Sequence, residues 1–160
     1  MELYHGGSAS KVEDSGLFRG VFASACEDVA SSHGDLNKAE IEDEKILSDY
    51  SLNYELDHNE VRAAFEAVCG EEGVDAESDL IWKAVIEDAD VFEMDESEAL
   101  ESFEMAMIGE DESIGMASWA AQRMRGRVAR KLGYLAVEMD DEHGTSYLVL
   151  PGAEFSRVER

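Results

Sequence analysis

The sequence predicts an α+β domain, and three features of the chain support this fold class. Patterns of short strands come first, helical periodicities fill the middle, and a β-hairpin pattern lies near the end. The 160 residues suit a single domain, which buries roughly two thirds of the surface that its unfolded chain exposes. We therefore expect one domain over residues 1–160, with a helical insertion over about residues 55–112.

The first forty residues predict three strands and one short helix. The strands are expected over residues 1–5, 20–24 and 38–41, and the helix over residues 27–32. Gly6 and Gly7 end the first strand, because glycine readily adopts the backbone angles of tight turns.

The middle of the chain predicts three helices. Val61, Ala64, Phe65 and Val68 recur at helical spacing, and Asn59 is the expected N-cap. Ser78 introduces a second helix that runs to about residue 85, and a third is expected over residues 97–108.

The last third predicts a long helix followed by a hairpin. A narrow apolar stripe begins at Ala117 and ends at Leu132, and Gly133 stops the helix. Three arginines of this helix lie opposite the stripe, where we expect a solvated face or pairs with the acidic helices; they are Arg123, Arg127 and Arg130. The hairpin is predicted with strands over residues 135–139 and 146–150 and a loop over residues 140–144.

The charge of the chain excludes some functions. It carries 38 acidic and 13 basic residues, a net charge of −25, and residues 40–112 hold 26 of the acidic residues and three of the basic ones. Nucleic-acid binders need clustered Lys and Arg for phosphate contacts, and anionic membrane surfaces also select for basic residues. The acidic middle is therefore either a solvated surface or a docking face for a basic partner.

Other sequence features indicate a cytoplasmic protein without a metal site. The first residues lack a signal-peptide pattern, and no uncharged stretch is long enough to span a membrane. Two cysteines do not make a disulfide framework, and the four histidines are scattered singly.

Three segments carry motifs that occur together in a known superfamily. They are Tyr4-His5-Gly6-Gly7-Ser8, then Gly20-Val21-Phe22-Ala23-Ser24 followed by Ala30-Ser31-Ser32-His33-Gly34, then Tyr147-Leu148-Val149 after an acidic loop. In this order they resemble the NAD-dependent ADP-ribosyltransferases. In particular, the chain is similar to the phage anti-CRISPR branch that modifies the type I-F surveillance complex.

The resemblance implies a split β-sandwich core that carries an acidic helical insertion and binds NAD. His5 would hydrogen-bond the adenosine-side ribose, and the backbone of Gly6 would hold the nicotinamide amide. Phe22 and His33 would wall the nicotinamide ring, while Ser24 supports the second strand. The arginines of the long helix could alternatively pair with the pyrophosphate of NAD.

The resemblance also implies a catalytic carboxylate near the final hairpin. Many relatives have a glutamate directly before the last strand, whereas this chain has Ser146 there. The candidates are therefore Asp140, Asp141 and Glu142. Asp141 matches the acid of the anti-CRISPR branch when Gly144-Thr145 is aligned, and Glu142 is the second choice. Such a carboxylate would stabilise an oxocarbenium-like sugar.

The function that follows is mono-ADP-ribosylation of a residue that reads the protospacer-adjacent motif, on a subunit of a type I CRISPR surveillance complex. The adduct would block binding of target DNA, and the acidic insertion would recognise the complex. A non-catalytic acidic DNA mimic is one alternative. An ADP-ribosyltransferase toxin with another protein target is the other.

Overall fold

The chain folds into two β-sheets and a set of helices, which confirms the predicted α+β class. The computed structural model describes residues 1–8, 11–48, 51–109, 111–141 and 144–159, with Asp141 described by its backbone alone. One sheet has the order β1-β3-β7, formed by Glu2–Gly6, Leu36–Glu40 and Ser156–Arg157. The other has the order β2-β6-β5-β4, formed by Val21–Ala23, Gly144–Val149, Ala136–Asp141 and Ile46–Leu47.

Five α-helices occur in the described residues. They are α1 over Glu27–Ser31, α2 over His58–Glu72, α3 over Asp79–Val85, α4 over Glu96–Phe103 and α5 over Ile114–Lys131. The Asp57 side chain caps α2 by accepting from the backbone N–H groups of Asn59 and Glu60, so the prediction of Asn59 as the cap is wrong. Ser78 caps α3 as predicted, because its hydroxyl accepts from the N–H of Ile81. None of these helices has both the length and the apolar character needed to cross a membrane.

The two sheets meet where β1 passes β2. The backbone N–H of Tyr4 donates to the carbonyl of Ser24, and the N–H of Ser24 donates to the carbonyl of Tyr4, each at 2.8 Å. β1 therefore pairs with β3 along its length and touches β2 at one bridge. This junction brings the first two predicted motifs side by side.

Two apolar clusters stabilise the fold. The larger one joins the helices to the four-stranded sheet, with Met124 and Val128 of α5 in the same cluster as Leu148 of β6. The smaller one contains Leu3 of β1 and Phe155. The helical middle of the chain thus shares its core with the sheet.

Helix α5 lies close to β6 because position 126 is glycine. A Cβ on Gly126 would lie 2.7 Å from Leu148 Cδ2 and 3.2 Å from Leu150 Cδ2. The face of α5 that carries Gly126 is therefore buried, in addition to the apolar stripe that the sequence predicts.

The prediction that Arg123 belongs to a solvated face of α5 is wrong, because its side chain is 1% exposed. Its guanidinium donates from Nε and Nη2 to the Glu72 carboxylate at 2.9 and 3.0 Å. It also donates to the carbonyls of Leu17 and Ala106. Arg123 instead pairs with an acidic helix, the other predicted possibility, because Glu72 belongs to α2. Arg127 pairs with the same carboxylate at 3.2 Å.

The Glu72 carboxyl has opposing influences on its pKa. Burial raises the pKa, but the hydrogen bonds and charges of Arg123 and Arg127 outweigh it and lower the pKa below 4.5. A lowered pKa in the folded state means that Glu72 stabilises the fold above pH 4.5 and that this contribution is lost as pH falls through the folded-state pKa.

Replacing Glu72 by Gln is therefore expected to lower the free energy of unfolding by about 1–3 kcal/mol at pH 7. Urea unfolding of both proteins from pH 7 downward measures the difference, which is expected to shrink as pH falls below 4.5 and through the lowered pKa of the folded state. A pH-independent difference would show that the charge of Glu72 is not what stabilises the fold.

Candidate active site

His5 is oriented by the backbone of β2. Its Nδ1 lies 2.8 Å from the carbonyl oxygen of Phe22. Because a carbonyl only accepts, Nδ1 carries the proton, and in the neutral ring Nε2 is left as a hydrogen-bond acceptor. The ring also packs on Phe155, with centroids 5.9 Å apart at 56°. His5 thus presents an acceptor nitrogen at the junction of the two sheets.

Gly6 lies against the C-terminal end of α1. A Cβ at this position would overlap the carbonyl oxygen of Ala30 and lie 2.9 Å from the Cβ of His33. The N–H of His33 donates to that same Ala30 carbonyl at 3.1 Å. The structure therefore brings Gly6 and His33 together, although the first motif and the end of α1 are far apart in the sequence.

The requirement for glycine at position 6 is testable. Gly6→Ala is expected to cost about 2 kcal/mol or more of stability, because the clash is with backbone atoms that cannot rotate away. Thermal unfolding measures the loss. Gly70→Ala is the matched control: nothing lies within 4 Å of its added Cβ, and it is expected to stabilise α2 by about 0.5–1 kcal/mol. A Gly6→Ala protein as stable as the wild type would contradict the close approach.

Gly7 and Gly34 form an open surface next to His5. Gly7 has φ 116° and Gly34 has φ 128°, angles that favour glycine at both positions. A Cβ on Gly34 would lie 3.4 Å from the Gly7 nitrogen, and one on Gly7 would lie 3.7 Å from His5 Nε2. The side chain of Asn37 holds this turn by donating to the Gly7 carbonyl.

A cavity of about 580 Å³ adjoins this surface through Gly34. Ser31 and Asp35 line one part of it, and residues 157–159 line another. Its volume falls in the range of roughly 300–1,000 Å³ that is usual for sites of drug-sized ligands and cofactors. The lining consists of Gly34, its neighbours and residues 157–159, so the cavity lies beside His5, Gly6 and His33 and is not formed by them.

Phe22 of β2 and Ser24, which directly follows the strand, make different contacts. The Phe22 ring meets Phe18 edge-on, with centroids 4.8 Å apart, and packs against the larger apolar cluster. The Ser24 hydroxyl accepts from the N–H of Cys26 at 3.0 Å, which holds the turn from β2 into α1. Phe22 is partly buried against that cluster.

The final hairpin is tighter than predicted. Asp140 pairs with Thr145 and Asp141 with Gly144, so both acidic residues belong to β5, and the predicted loop over residues 140–144 is too long. Glu142 and His143 lie outside the described residues. Cross-strand backbone pairing therefore extends β5 to Asp141, two residues beyond the predicted strand end at Met139.

The hairpin and His5 flank the same short strand. Ala23 of β2 pairs with Tyr147 of β6, and the hairpin continues from there past the Ser24 end of β2. On the other side of β2, Ser24 is bridged to Tyr4, the neighbour of His5. The hairpin tip, with the backbone of Asp141, therefore extends beyond the Ser24 end of β2, whereas β1 runs from Tyr4 to His5 and Gly6 in the opposite direction along β2. The pKa of Tyr147 is raised by burial and by the charge of Glu138.

Sequence reasoning missed several residues that shape this site. Phe155 packs on His5, Ala30 abuts Gly6, and Asn37 holds Gly7. No local pattern marks these positions, since each acts through a contact distant in sequence. Across the residues described, no group of three or more His, Cys, Asp or Glu is arranged to hold a metal ion.

Comparison with known proteins agrees with the resemblance stated from the motifs. The family model for the anti-CRISPR type I-F ADP-ribosyltransferase AcrIF11 matches residues 1–157. A solved structure described as the crystal structure of an anti-CRISPR protein is 33% identical, aligns over 99% of this chain and 95% of its own, and has a TM-score of 0.65. Comparison with curated protein sequences gives no match. The chain thus belongs to the anti-CRISPR type I-F ADP-ribosyltransferase family AcrIF11.

Proposed function

We propose that this protein transfers ADP-ribose from NAD to a DNA-reading residue of a type I CRISPR surveillance complex, and that the adduct blocks binding of target DNA. The observation that carries the proposal is the family match over residues 1–157, a range that includes the two N-terminal motifs and the final hairpin. The family name supports the transferase chemistry and the use of NAD, while the target residue follows from the motif resemblance. The protein would act in the cytoplasm of the host cell.

We propose that residues 1–160 form a single domain with a split β-sandwich core. Support comes from the Tyr4–Ser24 bridge, which joins two otherwise separate sheets. The helices over residues 58–103 share one apolar cluster with β5 and β6, as expected of an insertion that folds together with its core.

The proposed NAD site uses the groups assembled around β1 and β2. His5 Nε2 would accept a hydrogen bond from the adenosine-side ribose, since Nδ1 is engaged with the Phe22 carbonyl. The backbone of Gly6 would hold the nicotinamide amide, with His33 and Phe22 as walls of the ring site. Ser24 would keep the strand end in place through the Cys26 N–H. The cavity beside Gly34 would take the rest of the dinucleotide.

The proposed reaction breaks the bond between nicotinamide and ribose. Nicotinamide leaves with the bonding electron pair, the sugar develops positive charge, and a nucleophilic atom of the target bonds to the sugar carbon while its proton passes to a carboxylate or to water. We propose Asp141 as the carboxylate that faces this charge, with Glu142 as the second candidate. Asp140 is less suited, because its carboxylate accepts from the Thr145 hydroxyl at 3.4 Å.

The acidic middle of the chain is the proposed docking face for the complex. Residues 40–112 carry 26 acidic and three basic residues, and a surface that binds DNA is basic. Opposite charges would steer the encounter and orient the active site toward the DNA-reading side chain.

Intact-mass measurement tests the proposal. The purified protein, at one tenth of the concentration of a purified type I-F complex, is incubated with NAD. We expect one subunit to gain the mass of ADP-ribose and the treated complex to lose DNA binding. Inhibition without NAD and only at equimolar protein would instead support the acidic DNA mimic. Modification of other host proteins but not of the complex would support the toxin alternative.

A further inference from the structure

A pocket with an excess of positive charge lies on the helix-covered side of the four-stranded sheet. Its volume is about 230 Å³, and Gly126 of α5 and Leu150 contribute to its wall. We call it the basic pocket, and its charged lining residues are Arg19, Arg127, Arg130, Lys131, Asp14 and Glu71. Four of the 13 basic residues of a chain with net charge −25 thus converge on one depression.

The carboxylates of the basic pocket are shared between cations. Glu71 pairs with Lys131 at 2.9 Å and with Arg127 at 3.1 Å. Asp14 pairs with Arg130 at 2.9 Å and with Arg19 at 3.6 Å. Arg127 also pairs with Glu72 at 3.2 Å, but Glu72 is matched by Arg123, so the four cations and two carboxylates of the lining leave an excess of two positive charges. Guanidinium groups carry five N–H donors and an ammonium three, so these ion pairs leave donors for a further anion.

The backbone at Arg19 gives a second, independent indication. Its φ is +50°, in the left-handed region that residues with a Cβ adopt rarely. A glycine would adopt this angle without strain. Strained backbone of this kind clusters at functional sites, and Arg19 lies at the edge of the basic pocket.

We propose that the basic pocket binds a small phosphate-bearing ligand, either a free phosphate or diphosphate or a phosphate monoester. Arginine forks match the geometry of phosphate oxygens, and an excess of two positive charges suits one such group. A polynucleotide is disfavoured, because the net charge of −25 repels a long polyanion. The pocket is also small compared with sites for drug-sized ligands, which measure roughly 300–1,000 Å³.

The basic pocket is separate from the proposed NAD site. Leu150 belongs to the larger apolar cluster under the helices, whereas His5 packs on Phe155 of the smaller cluster. The basic pocket also shares no lining residue with the cavity beside Gly34, and no residue of the proposed NAD site lines it. The inference therefore stands independently of the transferase proposal.

Calorimetry and thermal unfolding with inorganic diphosphate test the proposal. All samples are brought to the same ionic strength with NaCl, because salt by itself stabilises a protein with a large net charge. We expect diphosphate to bind the wild type and to raise its Tm above that of the chloride sample. The double variant Arg130→Gln, Lys131→Gln is expected to bind at least about tenfold more weakly. The charge-matched control Lys45→Gln, Lys83→Gln, which changes exposed residues elsewhere, is expected to bind as the wild type does.

Two further measurements decide the nature of the site. Arg19→Gly removes a cation and relieves the left-handed strain, so it is expected to weaken diphosphate binding without lowering Tm. NAD is expected to bind the Arg130/Lys131 double variant with wild-type affinity. Loss of NAD binding in that variant would overturn the proposal of a separate site, and so would an RNA decanucleotide that binds the pocket more tightly than diphosphate. Equal stabilisation by diphosphate and chloride would overturn phosphate binding itself.

Discussion

The Asp141→Asn variant is expected to fold as the wild type does and to transfer ADP-ribose about 10²–10⁴-fold more slowly. The substitution keeps the size of the side chain and removes the negative charge that would face the developing oxocarbenium. The backbone pairing of residue 141 with Gly144 does not depend on the side chain, so the hairpin should persist. The rate is measured by the appearance of the ADP-ribose mass increment on the target subunit in single-turnover samples.

Two neighbouring variants are the controls for this prediction. Asp140→Asn removes a charge of the same kind one residue away and is expected to retain most of the activity. Glu142→Gln identifies the second candidate. If Asp141→Asn modifies the complex at the wild-type rate and Glu142→Gln does not, the catalytic acid is Glu142. Circular dichroism and Tm establish that each variant is folded.

The Arg123→Met variant is expected to lose about 3–5 kcal/mol of stability. Removal of this guanidinium leaves Glu72, which is 9% exposed, without its bidentate partner. The carbonyls of Leu17 and Ala106 lose a donor at the same time. The loss therefore exceeds that of an exposed ion pair, because buried polar groups are left unsatisfied and water does not replace the lost contacts.

Urea unfolding at pH 7 measures this loss, and Arg130→Met is the matched control. Arg130 is on the same helix, but its pair with Asp14 is 44% exposed on both sides, so less than about 1 kcal/mol is expected. Combining Arg123→Met with Glu72→Met should recover part of the lost stability, since the uncompensated charge is then gone. A double variant no more stable than Arg123→Met would show that the carbonyl contacts, and not the ion pair, account for the loss.

The helices were predictable because their signals are local. The spacing of Val61, Phe65 and Val68 and the cap at Ser78 each act within a few residues, and the structure has helices at these positions. The strands β4 and β7 were not predicted, because two residues are too few to show an alternation. The length of the final hairpin was underestimated for a related reason: acidic residues favour turns, but cross-strand pairing extends β5 through Asp141.

The candidate site was predictable in part. The motifs placed His5, Gly6 and His33 in one site, and the structure brings these three residues close together. The packing of His5 on Phe155 and the support of Gly7 by Asn37 were missed, since no periodicity links residues at opposite ends of the chain. The role of each residue in NAD binding stays a prediction.

The sequence by itself determined the charge of −25, its concentration in the middle of the chain, the helical periods and the order of motifs that places the chain in its family. Only the tertiary structure decided that Arg123 is buried with Glu72, and that four cations gather at the basic pocket. The physical reason is the range of the interactions. Periodicity and capping act between near neighbours, whereas Arg123 binds the carbonyl of a residue 106 positions away, and such contacts exist only once the chain has folded.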